Sequence, residues 1–216
     1  MQYHYIAIEG NIGAGKTTLA ELLSKHYNAR LILEEFADNT FLPKFYDDPK
    51  RYAFPLELSF LADRYKQLEQ MLTEQDLFRQ ITISDYTFIK SKLFASINLE
   101  ADEYNLFQKL FDIIDLQLPS PDLLIYLQAP VNLLQQHIQT RGRTYEQNIS
   151  NQYLQKVSKA YHEHFLKDDQ PVLVVDTERI DFLNNPLQFN RLIDFLNSGP
   201  IVGRFELFEN NNNALT

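Results

Sequence analysis

The stretch AIEGNIGAGKTTLAEL, Ala7 to Leu22, constrains the fold of this chain more than any other segment. It holds a complete G-x-x-x-x-G-K-T pattern in Gly10, Gly15, Lys16 and Thr17, with a further glycine at Gly13. An apolar run, Tyr5-Ile6-Ala7-Ile8, precedes it and a helical pattern follows. A strand, a glycine-rich turn and a helix N-terminus form a phosphate cradle: backbone N–H groups turn inward and the helix presents its positive end. The cradle is expected to run through Gly10, Asn11, Ile12, Gly13, Ala14, Gly15, Lys16, Thr17 and Thr18. Lys16 is placed to reach the β- and γ-phosphates of a nucleotide such as ATP, and Thr17 to ligate Mg²⁺. The motif specifies nucleoside triphosphate binding. It leaves open whether the phosphate drives motion, switches a partner or is moved to an acceptor.

The rest of the chain supplies the sheet that such a loop needs. Strand patterns fall at Tyr3–Ile8, Arg30–Leu33, Gln80–Ser84, Leu123–Leu127 and Val172–Val175. Helical patterns fall at Lys16–His26, Tyr52–Thr73, Ile89–Leu99, Glu103–Leu116, Val131–Arg141 and Ser150–Leu166. The alternation predicts an α/β fold, a doubly wound, mainly parallel five-stranded sheet with helices on both faces. Residues 1–200 read as one domain and 201–216 as a polar tail, since FENNNNALT lacks periodicity. The formal net charge of −9 argues against a nucleic-acid backbone as main partner. With 0 Cys, disulfides, thiolate catalysis and thiolate metal sites are excluded. No apolar run approaches the ~18 residues that a membrane span requires, and the expected location is the cytoplasm.

Ligands of doubly wound sheets bind beyond the C-terminal strand ends, so the residues there matter most. The second strand ends in LILEEFADN, and Glu34 or Glu35 could take the proton of an acceptor hydroxyl. In the long helix, Phe54, Leu58, Leu61, Tyr65 and Leu68 make an apolar stripe, while Glu57 and Arg64 share another face with Phe60 between them. An acid, a base and an aromatic on one face could line a pocket for a planar heterocycle. Asp85 follows the third strand and could hold Mg²⁺ through water. Arg141 and Arg143 flank Gly142 at a helix end, as suits a lid over phosphates.

Six segments in this order and spacing resemble the deoxynucleoside kinases: GNIGAGKTT, LEEFADN, FYDDPKRYAF, ADRYKQLE, PDLLIYLQAP and RGRTYEQ. The resemblance is greatest to the bacterial deoxyguanosine/deoxyadenosine kinase branch and runs from about Tyr5 to Phe182. It implies a P-loop fold, a helix-packed homodimer and transfer of the γ-phosphate of an NTP to the 5′-hydroxyl of a deoxynucleoside. It implies Glu35 as general base, although Phe36 stands where the family has Pro. It implies Tyr46 and Glu146 as the clamp on the sugar 3′-hydroxyl, Arg64 at the base and catalytic-acid end, and Arg141 and Arg143 as the lid. Asp176 to Phe182 resembles the loop around the donor base.

Two departures carry chemistry. The family's Asp-Arg-Ser or Glu-Arg-Ser is here Ser84-Asp85-Tyr86, so an arginine is missing. A one-residue shift aligns Asp85 with the acid of that motif, where it can serve Mg²⁺. The second departure is Glu57, where many members have Gln. Guanine shows two adjacent donors, N1–H and N2–H₂, which an acceptor-only carboxylate complements; adenine and cytosine show an amino donor beside a ring-nitrogen acceptor, which suits an amide. Lys90 could donate to guanine O6. Glu57 with Lys90 or Arg64 therefore points to deoxyguanosine. A nucleoside monophosphate kinase would need cations facing an acceptor phosphate. A P-loop regulatory switch would need neither base, clamp nor heterocycle pocket.

Overall fold

The computed structural model describes residues 3–35, 39–73, 79–165 and 170–207. Six parallel strands form one sheet in the order β2-β3-β1-β4-β5-β6. They are β1 (Tyr5–Gly10), β2 (Arg30–Ile32), β3 (Thr82–Ser84), β4 (Leu123–Gln128), β5 (Val172–Asp176) and β6 (Arg204–Leu207). The helices are α1 (Lys16–Tyr27), α2 (Phe41–Asp47), α3 (Pro49–Thr73), α4 (Ile89–Asn98), α5 (Ala101–Asp115), α6 (Val131–Arg141), α7 (Asn151–Phe165) and α8 (Pro186–Asn197). A 3₁₀ turn spans Thr144–Glu146. The two-residue period of each strand assigns its side chains to the two faces. Ile6, Ile8, Leu123, Ile125, Leu173 and Val175 face a core closed by Leu19 and Leu23 of α1, Leu134 of α6 and Leu192 of α8. Tyr5, Ala7, Leu124, Tyr126, Val172 and Val174 face the other side, under Leu93 of α4 and Val157, Tyr161 and Phe165 of α7. Burial on both faces is why these strands read as nearly unbroken apolar runs.

The sheet has six strands instead of five. Residues 204–207, within the expected tail, pair in parallel with β5 through Val172–Val175. Phe205 packs on Phe195 of α8, their ring centroids 6.1 Å apart. A short edge strand with three exposed residues carries no buried alternation, so its sequence looks like tail. Residues 208–216, the whole of FENNNNALT, lie outside the described residues. Two helices are additional to the expected ones. α2 spans less than two turns of pattern, and α8 is announced only by its cap, where the Asn185 side chain accepts from the backbone N–H groups of Leu187 and Gln188 ahead of Pro186. Among the described residues no helix is long and apolar enough to cross a membrane.

The strand order explains where a ligand can enter. From β1 the chain winds to β3 and β2 on one side and to β4, β5 and β6 on the other. The crevice at such a switch point opens at the C-terminal end of β1, where the glycine-rich loop begins. Two glycines there are obligatory. A Cβ on Gly10 would lie 2.7 Å from the Leu127 carbonyl oxygen of β4. Gly13 has φ +81°, and a Cβ on it would meet the Leu134 carbonyl oxygen at 2.8 Å.

Candidate active site

The glycine-rich loop is fixed from behind. The buried Glu9, last but one in β1, accepts from the Thr87 backbone N–H (2.6 Å), the Thr87 hydroxyl (2.7 Å) and the Tyr161 hydroxyl (2.9 Å). Asn11 is not available to a ligand through its side chain: its amide donates to the Leu154 carbonyl and to Ser158 Oγ of α7, both at 2.7 Å. Lys16 Nζ donates to the Gly10 and Asn11 carbonyls, both at 2.9 Å. Burial, and then the charge of Lys90, brings its pKa down to about 8. An ammonium held this way gains from any phosphate oxygen that replaces the carbonyls.

Beyond β2 and β3, Asp85 joins three elements. Its Oδ2 accepts from Thr17 Oγ1 at 2.6 Å and its Oδ1 from the Glu34 backbone N–H at 2.7 Å. Glu34 then turns its carboxylate into the cleft. Its Oε1 accepts from Arg64 Nε (2.8 Å) and pairs with Arg64 Nη2 (2.7 Å), and its Oε2 pairs with Lys90. Arg64 is further fixed by donating to Ser91 Oγ at 2.8 Å and by stacking 4.7 Å above the Phe60 ring. Burial opposes the charge on Glu34, but Lys90 and Arg64 outweigh it and bring the pKa down to about 2. Glu35 is exposed and does not line the cleft. Successive residues of an extended segment point to opposite sides, so only one of the two glutamates can face the ligand. Of the two glutamates that the sequence offered, Glu34 faces the cleft and Glu35 does not.

The far end of the cleft is different. Glu57 is 2 % exposed. Its Oε1 accepts from Asn98 Nδ2 at 2.7 Å, while Oε2 finds no hydrogen-bond partner among the described residues. Burial pushes its pKa up to about 7 despite Asn98, Arg64 and Lys90. Phe45, Tyr46, Leu56, Phe60, Phe94 and Tyr153 supply an apolar lining. An aromatic-walled slot with a carboxyl at its closed end suits a flat heterocycle.

The remaining expected residues sit at the mouth. Tyr46 stacks on Tyr145, with centroids 6.0 Å apart and planes 20° from parallel. Glu146 is buried and takes both arginines expected in a lid: Arg141, and Arg143 Nη1 at 3.2 Å. Across the loop, a wider cavity of about 710 Å³ is lined by Gly13–Thr18, His137, Arg141, Arg143, Thr177, Glu178 and residues 180–184. The structure thus gathers Lys16, Thr17, Arg64, Asp85, Lys90, Glu57, Tyr46, Glu146, Arg141 and Arg143 around one cleft. Sequence reasoning missed Asn98 and Tyr153, which lie on α4 and α7 and carry no motif. It missed Glu9 as well, although a carboxylate in the apolar strand YIAIEG is a signal. Lys90, expected to be able to donate to the base, is bound here to Glu34, which it shares with Arg64.

A parallel sheet with this loop, a carboxylate facing an acceptor slot and arginines between two cavities defines a P-loop phosphotransferase. The family model "Deoxynucleoside kinase" matches residues 6–198, and the chain belongs to the deoxynucleoside kinase family. Over 193 residues it is 38% identical to the deoxyguanosine kinase of Bacillus subtilis (strain 168), covering 87% of this chain and 93% of that one. Over 169 residues it is 37% identical to the deoxyadenosine kinase of Dictyostelium discoideum, covering 76% and 67% respectively. The structure of deoxyadenosine kinase from M. mycoides with bound dATP superposes with a TM-score of 0.78 at 28% identity, covering 90% of this chain and 100% of that chain. The activity of the chain is therefore phosphoryl transfer to a nucleoside, which sets aside the monophosphate kinase and regulatory switch.

Proposed function

We propose that this kinase prefers deoxyguanosine and transfers to its 5′-hydroxyl the γ-phosphoryl group of ATP. The observation that carries this reading is Glu57: one buried carboxylate oxygen held by Asn98, the other without a partner among the described residues. Such a group needs donors from its ligand, and the N1–H and N2–H₂ edge of guanine supplies two. The 38% identity to a deoxyguanosine kinase supports the same substrate.

In the proposed mechanism Glu34 accepts a hydrogen bond from the 5′-hydroxyl and takes its proton as the O5′–P bond forms and ADP leaves. A carboxylate held so low is a weak base, which suits a loose transition state in which positioning outweighs early proton removal. Arg64 and Lys90 orient Glu34. Lys16, Arg141 and Arg143 meet the charge on the transferring group. Tyr46 and Glu146 hold the 3′-hydroxyl. The Thr17 hydroxyl and Asp85 carboxylate, 2.6 Å apart, are hard oxygen donors that fit Mg²⁺. That ion, when bound, neutralises phosphate charge. Thr177, Glu178, residues 180–184 and His137 form the wall against which the donor base lies.

The assembly we propose is a homodimer through α5 and its C-cap, where Leu106, Leu110, Ile113 and the capping Leu116 expose an apolar stripe at helical spacing; sedimentation of the wild type against Ile113→Glu checks it. The site of action we propose is the cytoplasm. A coupled assay with ATP, Mg²⁺ and deoxyguanosine, deoxyadenosine or deoxycytidine, run on wild type and Glu57→Gln, tests the substrate. The variant should shift kcat/KM from deoxyguanosine toward the other two by on the order of 10²-fold. An unchanged ratio removes Glu57 from base recognition.

A further inference from the structure

Among the described residues nothing pairs with Glu57 Oε2, and the residue is 2 % exposed. The described formal charges around it are committed to one another. On its own helix, Arg64 is bound to Glu34 and Ser91. From the segment after β2, Glu34 is shared by Arg64 and Lys90. From α4, Lys90 is on Glu34, and Asn98 offers a neutral amide. From α7, Tyr153 lines the same pocket with a phenol that burial holds neutral, its pKa raised beyond its usual value. Tyr46 of α2 is likewise neutral, its pKa raised by burial. Across the mouth, Arg141 and Arg143 are on Glu146. Oε2 is thus satisfied by a donor from the base or by a proton of its own.

We infer that the proton on Glu57 selects between two kinds of base, so that one site phosphorylates deoxyguanosine when Glu57 is ionised and deoxyadenosine or deoxycytidine when it is protonated. This rests on the reading that Glu57 faces the base. Ionised, Oε2 and the second lone pair of Oε1 accept from N1–H and N2–H₂ of guanine. Protonated, Oε2–H donates to the ring nitrogen of adenine or cytosine while Oε1 accepts from the amino group, as a glutamine would. Asn98 fixes which oxygen is which, because its donation at 2.7 Å keeps Oε1 an acceptor in both forms. Burial, which brings the carboxyl to about 7, places the change of form within the range of ordinary assays.

The test is the ratio of kcat/KM for deoxyguanosine to that for deoxyadenosine as a function of pH. Other ionisations act on both substrates and cancel from the ratio. In the wild type the ratio should rise by up to about a hundredfold between about pH 6 and about pH 8, tenfold per unit where each form takes only its own base. In Glu57→Gln it should be low and independent of pH. In Asn98→Ala, loss of the donor that favours the carboxylate should move the rise to higher pH. A wild-type ratio that stays flat across this range, with Glu57→Gln altering it, overturns the proton selection and leaves the base reading intact. A ratio unaltered by Glu57→Gln overturns both.

Discussion

Two carboxylates, the partly buried Glu34 and the buried Glu57, line one cleft, and their environments drive their pKa values apart. Glu34 meets Arg64 and Lys90 and lies at about 2; Glu57 meets one amide and lies at about 7. Burial alone raises both, so the difference comes from where the cations are spent. Both cations go to Glu34, where we propose that the acceptor hydroxyl binds, and they keep that carboxylate ionised. The base end is left with an acid whose form depends on what it meets. Divergent environments for paired titratable groups are how one fold assigns separate roles to like residues.

The largest effect comes from a change that silences both ends together. Lys16→Ala should abolish turnover of every nucleoside while leaving the fold intact, since removal of a single group that stabilises transferring charge typically costs about 10²–10³-fold or more. Near-wild-type kcat in this variant would exclude the phosphate-loop mechanism. Next, Glu34→Gln should lower kcat by about 10²–10⁴-fold with every base alike, while Glu35→Gln leaves kcat near wild type. The reverse pattern would return the role to Glu35 and leave Glu34 as an anchor for Arg64 and Lys90.

The comparison also shows which parts of the site can be read from a sequence. The phosphate loop was legible because strand, glycines, lysine and helix are contiguous. Glu57 and Arg64 were legible because helical spacing put them on one face. The choice between Glu34 and Glu35 was not, because it depends on how the chain leaves β2 under the hold of Asp85 on the Glu34 N–H. The pairing of Lys90 with Glu34 was not legible for the same reason: the partner is brought by the sheet, not by the helix of Lys90. Asn98 lies 41 residues from Glu57 and has no spacing that links them. In the fold, fully buried strands were plain, whereas β6 pairs by backbone at an edge and leaves little side-chain pattern.

Stability against pH separates the two ends without any substrate. Glu57 has its folded pKa raised from 4.5 to about 7, so between these values the folded chain holds a proton that the unfolded chain has released. Its contribution is therefore fully present below pH 4.5 and is lost as pH rises toward about 7. The loss amounts to at most about 3 kcal/mol. Glu57→Gln cannot titrate, so the difference in unfolding free energy between variant and wild type should grow in the variant's favour over that window and then level off. A constant difference in denaturant melts would mean that Glu57 is solvated in the folded protein.

The smallest expected effect concerns a third carboxylate, intermediate between the other two. Glu146 takes two arginines, as Glu34 takes two cations, yet its partners lie on the lid and remain partly exposed at 35% and 29%. If Glu146 and Tyr46 hold the sugar 3′-hydroxyl, a 2′,3′-dideoxyguanosine substrate leaves their polar groups short of a partner, at a cost of about 1–3 kcal/mol. That corresponds to a loss in kcat/KM of roughly five- to 150-fold. Because Arg141 and Arg143 grip the same carboxylate, a sugar that engages Glu146 also sets the arginines beside the phosphates, so part of the loss should fall on kcat instead of KM. Glu146→Gln should remove the discrimination between the two sugars. Equal kcat/KM for deoxyguanosine and its dideoxy analogue in the wild type would make Glu146 an anchor for the lid alone.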